Sequence, residues 1–219
     1  MEQPILSVQA VGFKAGQETI LENISFDVEK GEIVTITGPS GSGKSTLLKV
    51  LGSLISPTKG EILFKGQSLD KNDPLEYRKK VSYFFQNAAL FDQTVKDNLT
   101  FPYEIRNQDP EEQRIKDYLK KVKLPETYYE KAVTELSGGE KQRIALVRNL
   151  LFQPEVLLLD EVTSSLDTEN KRIIHTLIKE LNQQSDITVL MITHDESELS
   201  QADRVIRIID GRLEEKHDE

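Results

Sequence analysis

The chain has 219 residues, 37% of them hydrophobic and 30% charged, enough for one folding unit with a substantial core. Its longest apolar runs, such as residues 156–159, are far too short to cross a bilayer. The net charge of −9 argues against broad nucleic-acid binding, and zero cysteines exclude disulfides and thiolate metal sites.

Residues 1–9 lack the basic and apolar blocks of a secretory leader, so the chain is expected to stay in the cytosol. Alternating apolar residues over 5–11 and 20–28 predict half-buried strands, and 33–37 is a β-branched run ending at Gly38. Over 44–54, Leu47, Leu48, Val50, Leu51 and Leu54 share one helical face, which Ser56 and Pro57 close. An apolar strand over 81–85 precedes Gln86. From 87 to 152 the pattern is helical without a convincing strand, which predicts an inserted helical lobe. Within it, Asp109 reads as the cap of a helix with Pro110 in its first turn, Glu111 and Glu112 at its positive end, and an end near Lys123. Beyond the lobe, β-rich runs at 156–160, 188–193 and 204–209 alternate with helices, and Asp210-Gly211 reads as a turn between the last strands. The acidic end, Glu214, Glu215, Asp218 and Glu219, reads as a solvated terminus.

Three motifs carry chemistry. Gly38-Pro39-Ser40-Gly41-Ser42-Gly43-Lys44-Ser45 matches the Walker A loop, whose glycines let backbone N–H groups curl around phosphate oxygens, and Thr46 then enters the helix. Lys44 is expected on the β- and γ-phosphates and Ser45 on Mg²⁺, with the helix directing its positive end at the anion. Residues 156–161 form an apolar strand ending in two carboxylates, the Walker B pattern: Asp160 for Mg²⁺ and Glu161 as general base for the attacking water. The third motif is Leu136-Ser137-Gly138-Gly139-Glu140-Lys141-Gln142-Arg143, a helix start offering a hydroxyl, free N–H groups and a dipole suited to a γ-phosphate.

This third run resembles the signature of the ATP-binding-cassette family, and Gln86, Ser165-Leu166-Asp167 and His194 follow in that family's order, so the resemblance covers nearly the whole chain. It implies a P-loop α/β fold with a mixed, mainly parallel central sheet, an N-terminal antiparallel β subdomain and a helical subdomain over about 87–152, all within one nucleotide-binding domain over 1–219. It also implies that Gln86 senses Mg²⁺ and a membrane partner, that His194 bonds the γ-phosphate and orients the water beside Glu161, and that Asp167 communicates between subunits. Two such chains pack head to tail, each ATP lying between one Walker A loop and the partner's Ser137, Gly138 and Gly139. A transmembrane permease on another chain completes the assembly, with this chain peripheral on the cytoplasmic face of the membrane.

The family commonly has Pro where this chain has Val162 and Ala where it has Ser165; neither change removes a reacting group. At the usual adenine-stacking position stands Ala15, so Phe13, two residues earlier, either reaches the base or is buried under the hairpin. Phe91, Val95, Phe101 and Tyr103 beside Gln86 are expected to form a permease-facing surface, although Val95 fits the lobe's own core equally well. A soluble cassette protein and a non-hydrolysing module are the competing classes. Against the first stands the absence of twin cassettes or sustained heptads, and against the second stand Lys44, Gln86, Asp160, Glu161 and His194. Segments 12–16, 54–58 and 101–107 are similar to a bacterial subfamily associated with iron export; an importer ATPase for polar amino acids or phosphate is the alternative.

Overall fold

A computed structural model describes residues 3–86, 89–91, 93–164 and 166–214. Ser165, Asn87 and the tail residues Glu215, Asp218 and Glu219 thus lie outside the described residues. The chain opens with the antiparallel hairpin β1 (Leu6–Ala15) and β2 (Glu18–Val28), then runs through β3 (Ile33–Thr37) into helix α1 (Lys44–Leu51). Strands β4 (Lys59–Phe64) and β5 (Gln67–Ser68) return to the hairpin and complete an antiparallel sheet of order β2-β1-β4-β5. Helix α2 (Pro74–Lys80) leads into β6 (Val81–Phe84), and α3 (Val95–Glu104), α4 (Glu112–Lys121) and α5 (Gly138–Leu150) follow. The remainder alternates: β7 (Val156–Asp160), α6 (Thr168–Ser185), β8 (Thr188–Ile192), α7 (Glu196–Leu199), β9 (Arg204–Ile209) and β10 (Arg212–Leu213). These make a second sheet of order β10-β9-β3-β8-β7-β6, parallel throughout except for β10.

Strand β7 shows why the layers assemble this way. All five of its residues are buried, as expected for a parallel strand covered on both faces. Its alternation divides it between two apolar cores. Leu157 and Leu159 join a cluster with α3, α4, α5 and α6, whereas Val156 and Leu158 join one with α1 and the antiparallel sheet. Four adjacent parallel strands, β3, β8, β7 and β6, therefore release their C-terminal ends along one edge, the usual ligand-binding edge of such sheets.

Between β6 and β7 the described residues hold helices and an isolated bridge, Thr94 to Ala132, in place of strands. Helix α3 starts on a reciprocal capping box between Thr94 and Asp97, and α5 on one between Ser137 and Glu140. Helix α4 departs from the sequence expectation: its cap position is Glu111, no side chain caps it, and Asp109 and Pro110 precede it. Its amphipathic face supplies Ile115, Tyr118 and Leu119 to the core, so packing stabilises it without a cap. The turn at Asp210 and Gly211 has both residues at positive φ, as a two-residue hairpin between β9 and β10 requires. Among the described residues, no helix is long and apolar enough to cross a membrane.

Candidate nucleotide site

The loop from β3 to α1 is shaped by glycines. A Cβ on Gly38 would lie 2.0 Å from the Ile208 carbonyl oxygen, and one on Gly43 2.8 Å from that of Ile20; both residues also have positive φ. Pro39, Ser40 and Gly41 are exposed at the crest, Ser45 and Thr46 are half-buried as α1 begins, and Ser42 is buried. The Ser42 hydroxyl has no hydrogen-bond partner within the chain. Lys44 folds back, its ammonium donating to the carbonyls of Gly38 and Pro39 at 2.8 Å each. Burial holds its pKa below the usual lysine value, opposed by the negative charges of Glu161 and Asp160. A cradle of strained glycines, an unpartnered buried hydroxyl and a cation at a helix start can accept a polyphosphate.

The two carboxylates at the end of β7 diverge. Glu161 has φ of 49°, a left-handed conformation uncommon for a side chain of this size and typical of functional turns. Asp160 keeps the strand's direction and is 7% exposed, accepting from the Ser45 hydroxyl at 2.8 Å and the Tyr83 hydroxyl at 2.6 Å. Glu161 turns to the neighbouring strand ends, where Gln86 donates to it at 3.0 Å and His194 Nε2 lies 3.7 Å away. Lys44, Ser45, Asp160, Glu161, Gln86 and His194 thus lie together on the sheet edge.

The segment Ser137-Gly138-Gly139 stands apart from it. The Ser137 hydroxyl accepts from the Glu140 N–H at 3.3 Å, and the Ser137 N–H donates to the Glu140 carboxylate at 2.7 Å. Ser137 and Gly138 are exposed. Gly139 is crowded by Asn170, which Asp167 holds through its side-chain and backbone N–H groups at 2.6 and 2.8 Å. Those hydrogen bonds hold the Asp167 carboxyl below its ordinary value.

The two regions are joined through the loop after β7. Gln142 of α5 donates to the Val162 carbonyl at 2.7 Å. Thr163 donates to Glu198 of α7 at 2.6 Å, and Glu198 also meets His175 at 2.5 Å. Burial pushes Glu198 up, but hydrogen bonds from His175, Thr163 and Thr193 outweigh it, leaving a carboxylate below the ordinary range. Tyr83, Glu198 and His175 were not singled out in the sequence. The Tyr83 hydroxyl on the strand ahead of Gln86 is the one local signal among them.

A family model described as ABC transporter matches residues 21–164. The chain belongs to the ABC transporter family. It is 50% identical over 205 residues to the probable iron export ATP-binding protein FetA of Escherichia coli K12, covering 94% of this chain and 91% of that one. It is 38% identical over 220 residues to the spermidine/putrescine import ATP-binding protein PotA of Mycoplasma mycoides subsp. mycoides, covering 98% of this chain and 62% of that relative. Among solved structures, the dimeric post-hydrolysis ATP-binding cassette MJ0796 bound to ADP and Pi superposes with a TM-score of 0.86 at 32% identity, covering 96% and 97% of the two chains. This chain is an ATP-binding, ATP-hydrolysing cassette of that family.

Within the cassette, the expectation for Tyr103 changes, and Val95 takes the core alternative left open for it. Tyr103 and Val95 are 1% and 0% exposed in the lobe's core, so they form no surface; Phe101 and Phe91, 39% and 37% exposed, pack edge to face at 4.8 Å and do. Helical phase explains the split, because Val95, Leu99 and Tyr103 share the inward face of α3 and Phe101 lies on the other. The hairpin strand is also irregular: register shifts on both sides of Phe13 break its alternation with Ala15. Phe13 packs partly buried against the core, while Ala15 is exposed.

Proposed function

We propose that this cassette is the ATP-hydrolysing subunit of an iron-export-type transporter, acting as an ATP-bound homodimer beneath a membrane permease on the cytoplasmic face. The observation that carries the cargo assignment is the 50% identity, over nearly all of both chains, to a relative named for iron export. Lys44 exchanges its two carbonyl partners for the β- and γ-phosphates, and the N–H groups of residues 40–46 surround the phosphate chain. Mg²⁺ fits beside Ser45 and Asp160, whose oxygens already lie 2.8 Å apart and form the hard, all-oxygen donor set that ion prefers; Gln86 adds a third oxygen. The chemistry Mg²⁺ supplies there is charge neutralisation across the phosphate oxygens.

Glu161 acts as general base, taking a proton from the water that attacks the γ-phosphorus as the bond to the β-phosphate oxygen breaks. Gln86 and His194, on either side of Glu161, orient that water. The partner's Ser137, Gly138 and Gly139 close the site from the opposite side, and Asp167, which buttresses Gly139 through Asn170, relays closure between the subunits. Phe91 and Phe101 are the permease-facing aromatics.

The test is reconstitution with a membrane permease that co-purifies with this chain. ATP-dependent movement of Fe²⁺ out of the nucleotide-containing compartment, with crosslinks from position 91 or 101 to the permease, supports the assignment. ATP-driven polyamine uptake with no response to iron overturns the cargo, and intact assembly without a crosslink overturns the surface.

A further inference from the structure

Asp160 is gripped by hydroxyls from two separate elements. Ser45, at the start of α1, donates to Oδ1 at 2.8 Å, and Tyr83, on β6, donates to Oδ2 at 2.6 Å. Both carboxylate oxygens are thereby fixed in a side chain that is 7% exposed. Strand register explains the reach: Tyr83 pairs with Leu158, and Asp160 is two residues further along β7 on the same face. The Tyr83 ring is itself held in place. It packs on Phe85 with centroids 4.7 Å apart, and it lies close to Gly52, where a Cβ would come within 3.2 Å of the ring. A ring with these neighbours and a hydroxyl bonded to Oδ2 favours one carboxylate orientation.

We propose that Tyr83 is a positioning residue for the metal-binding carboxylate, its hydroxyl holding Asp160 in the rotamer that turns Oδ1 toward Ser45 so that Mg²⁺ meets a preorganised pair. The inference rests on the assignment of Ser45 and Asp160 to Mg²⁺ made above. Loss of a hydrogen bond that orients a metal's ligand typically costs about 10–100-fold in affinity for the ion. Tyr83 does not touch nucleotide in this scheme, so its effect belongs to the metal-dependent part of binding alone.

Tyr83→Phe removes one oxygen and keeps the ring's contacts with Phe85 and Gly52. Isothermal titration with a non-hydrolysable ATP analogue, once in EDTA and once in excess Mg²⁺, gives the affinity that Mg²⁺ adds for wild type and variant. The expected result is an EDTA dissociation constant within about twofold of wild type and a Mg²⁺-conferred gain about tenfold smaller. An unchanged gain overturns the proposal. So does a loss in EDTA as large as the loss in Mg²⁺, the mark of a merely structural hydroxyl. A wild type that gains nothing from Mg²⁺ overturns the Ser45 and Asp160 assignment itself, and is read from the wild-type titrations alone.

Discussion

The sheet edge and the start of α5 both carry residues for phosphate, yet they are built in opposite ways. At the sheet edge most of these side chains are tied within the chain: Ser45 and Tyr83 to Asp160, Gln86 to Glu161, and Lys44 to backbone carbonyls of its own loop. At the start of α5 the hydrogen bonds of Ser137 close on Glu140, and Ser137 and Gly138 face outward. One region is complete within the chain, whereas the other offers its N–H groups and dipole away from it. The difference teaches where a second copy fits: in the proposed homodimer the outward region meets phosphate on a partner's sheet edge.

Breaking the sheet edge alone carries the largest expected effect. Glu161→Gln should lower turnover by about 10³-fold by removing the base, within the usual range for proton transfer. The start of α5 is untouched, so the variant should persist as a dimer in ATP on size-exclusion chromatography. Turnover near wild type would remove Glu161 from the role of base.

Ser137→Arg breaks the other region. Loss of a positioned donor and a cation forced onto the outward face should reduce turnover by about 10²-fold. Affinity of the isolated chain for ATP, read by equilibrium titration at low protein concentration, should stay within about twofold of wild type. A matching fall in that affinity would place Ser137 in its own chain's site.

The link between the regions is sharpened by Glu198→Gln. It weakens a buried carboxylate's bonds to Thr163, Thr193 and His175 and should cost about 1–2 kcal/mol of stability at pH 7, measured by urea unfolding. The folded-state pKa of Glu198 lies below its ordinary value. Its stabilisation is therefore fully present above about pH 4.3 and is lost as the pH falls further through the folded value. The gap between wild type and variant should accordingly narrow on going from about pH 7 to pH 3.5.

The smallest effect concerns the base. Ala15 is exposed and offers no ring, so GTP should compete appreciably with ATP, and Ala15→Tyr should tighten ATP by about 1 kcal/mol with little change in the chemical step. Phe13→Ala should lower stability more than nucleotide affinity, since Phe13 packs on the core. Strong adenine preference lost in Phe13→Ala would instead make Phe13 the platform.

What the sequence revealed follows from how local each feature is. Lys44 and Ser45 lie in one eight-residue loop, and Asp160 and Glu161 end one apolar strand, so spacing alone placed them. The Tyr83 bond to Asp160 spans 77 positions and the Thr163 bond to Glu198 spans 35, and neither pairing has a local pattern that announces it. The irregular register at Phe13 is likewise a product of pairing with β2, so the sequence left open whether Phe13 reaches outward or packs beneath the hairpin. Tyr103 was a different kind of miss. Its spacing from Val95 and Leu99 is that of one helical face, and the burial of α3 follows that period.

That each site is completed by a second chain is tested most directly by crosslinking, which the lack of native cysteine makes unambiguous. Ser40→Cys and Ser137→Cys, each exposed and each made separately in the Glu161→Gln background, are mixed and treated with a short thiol crosslinker. A covalent dimer that forms in the mixture with ATP, and neither without ATP nor in the separate preparations, is the expected result. A mixture that binds ATP and yields no such dimer would contradict the shared site.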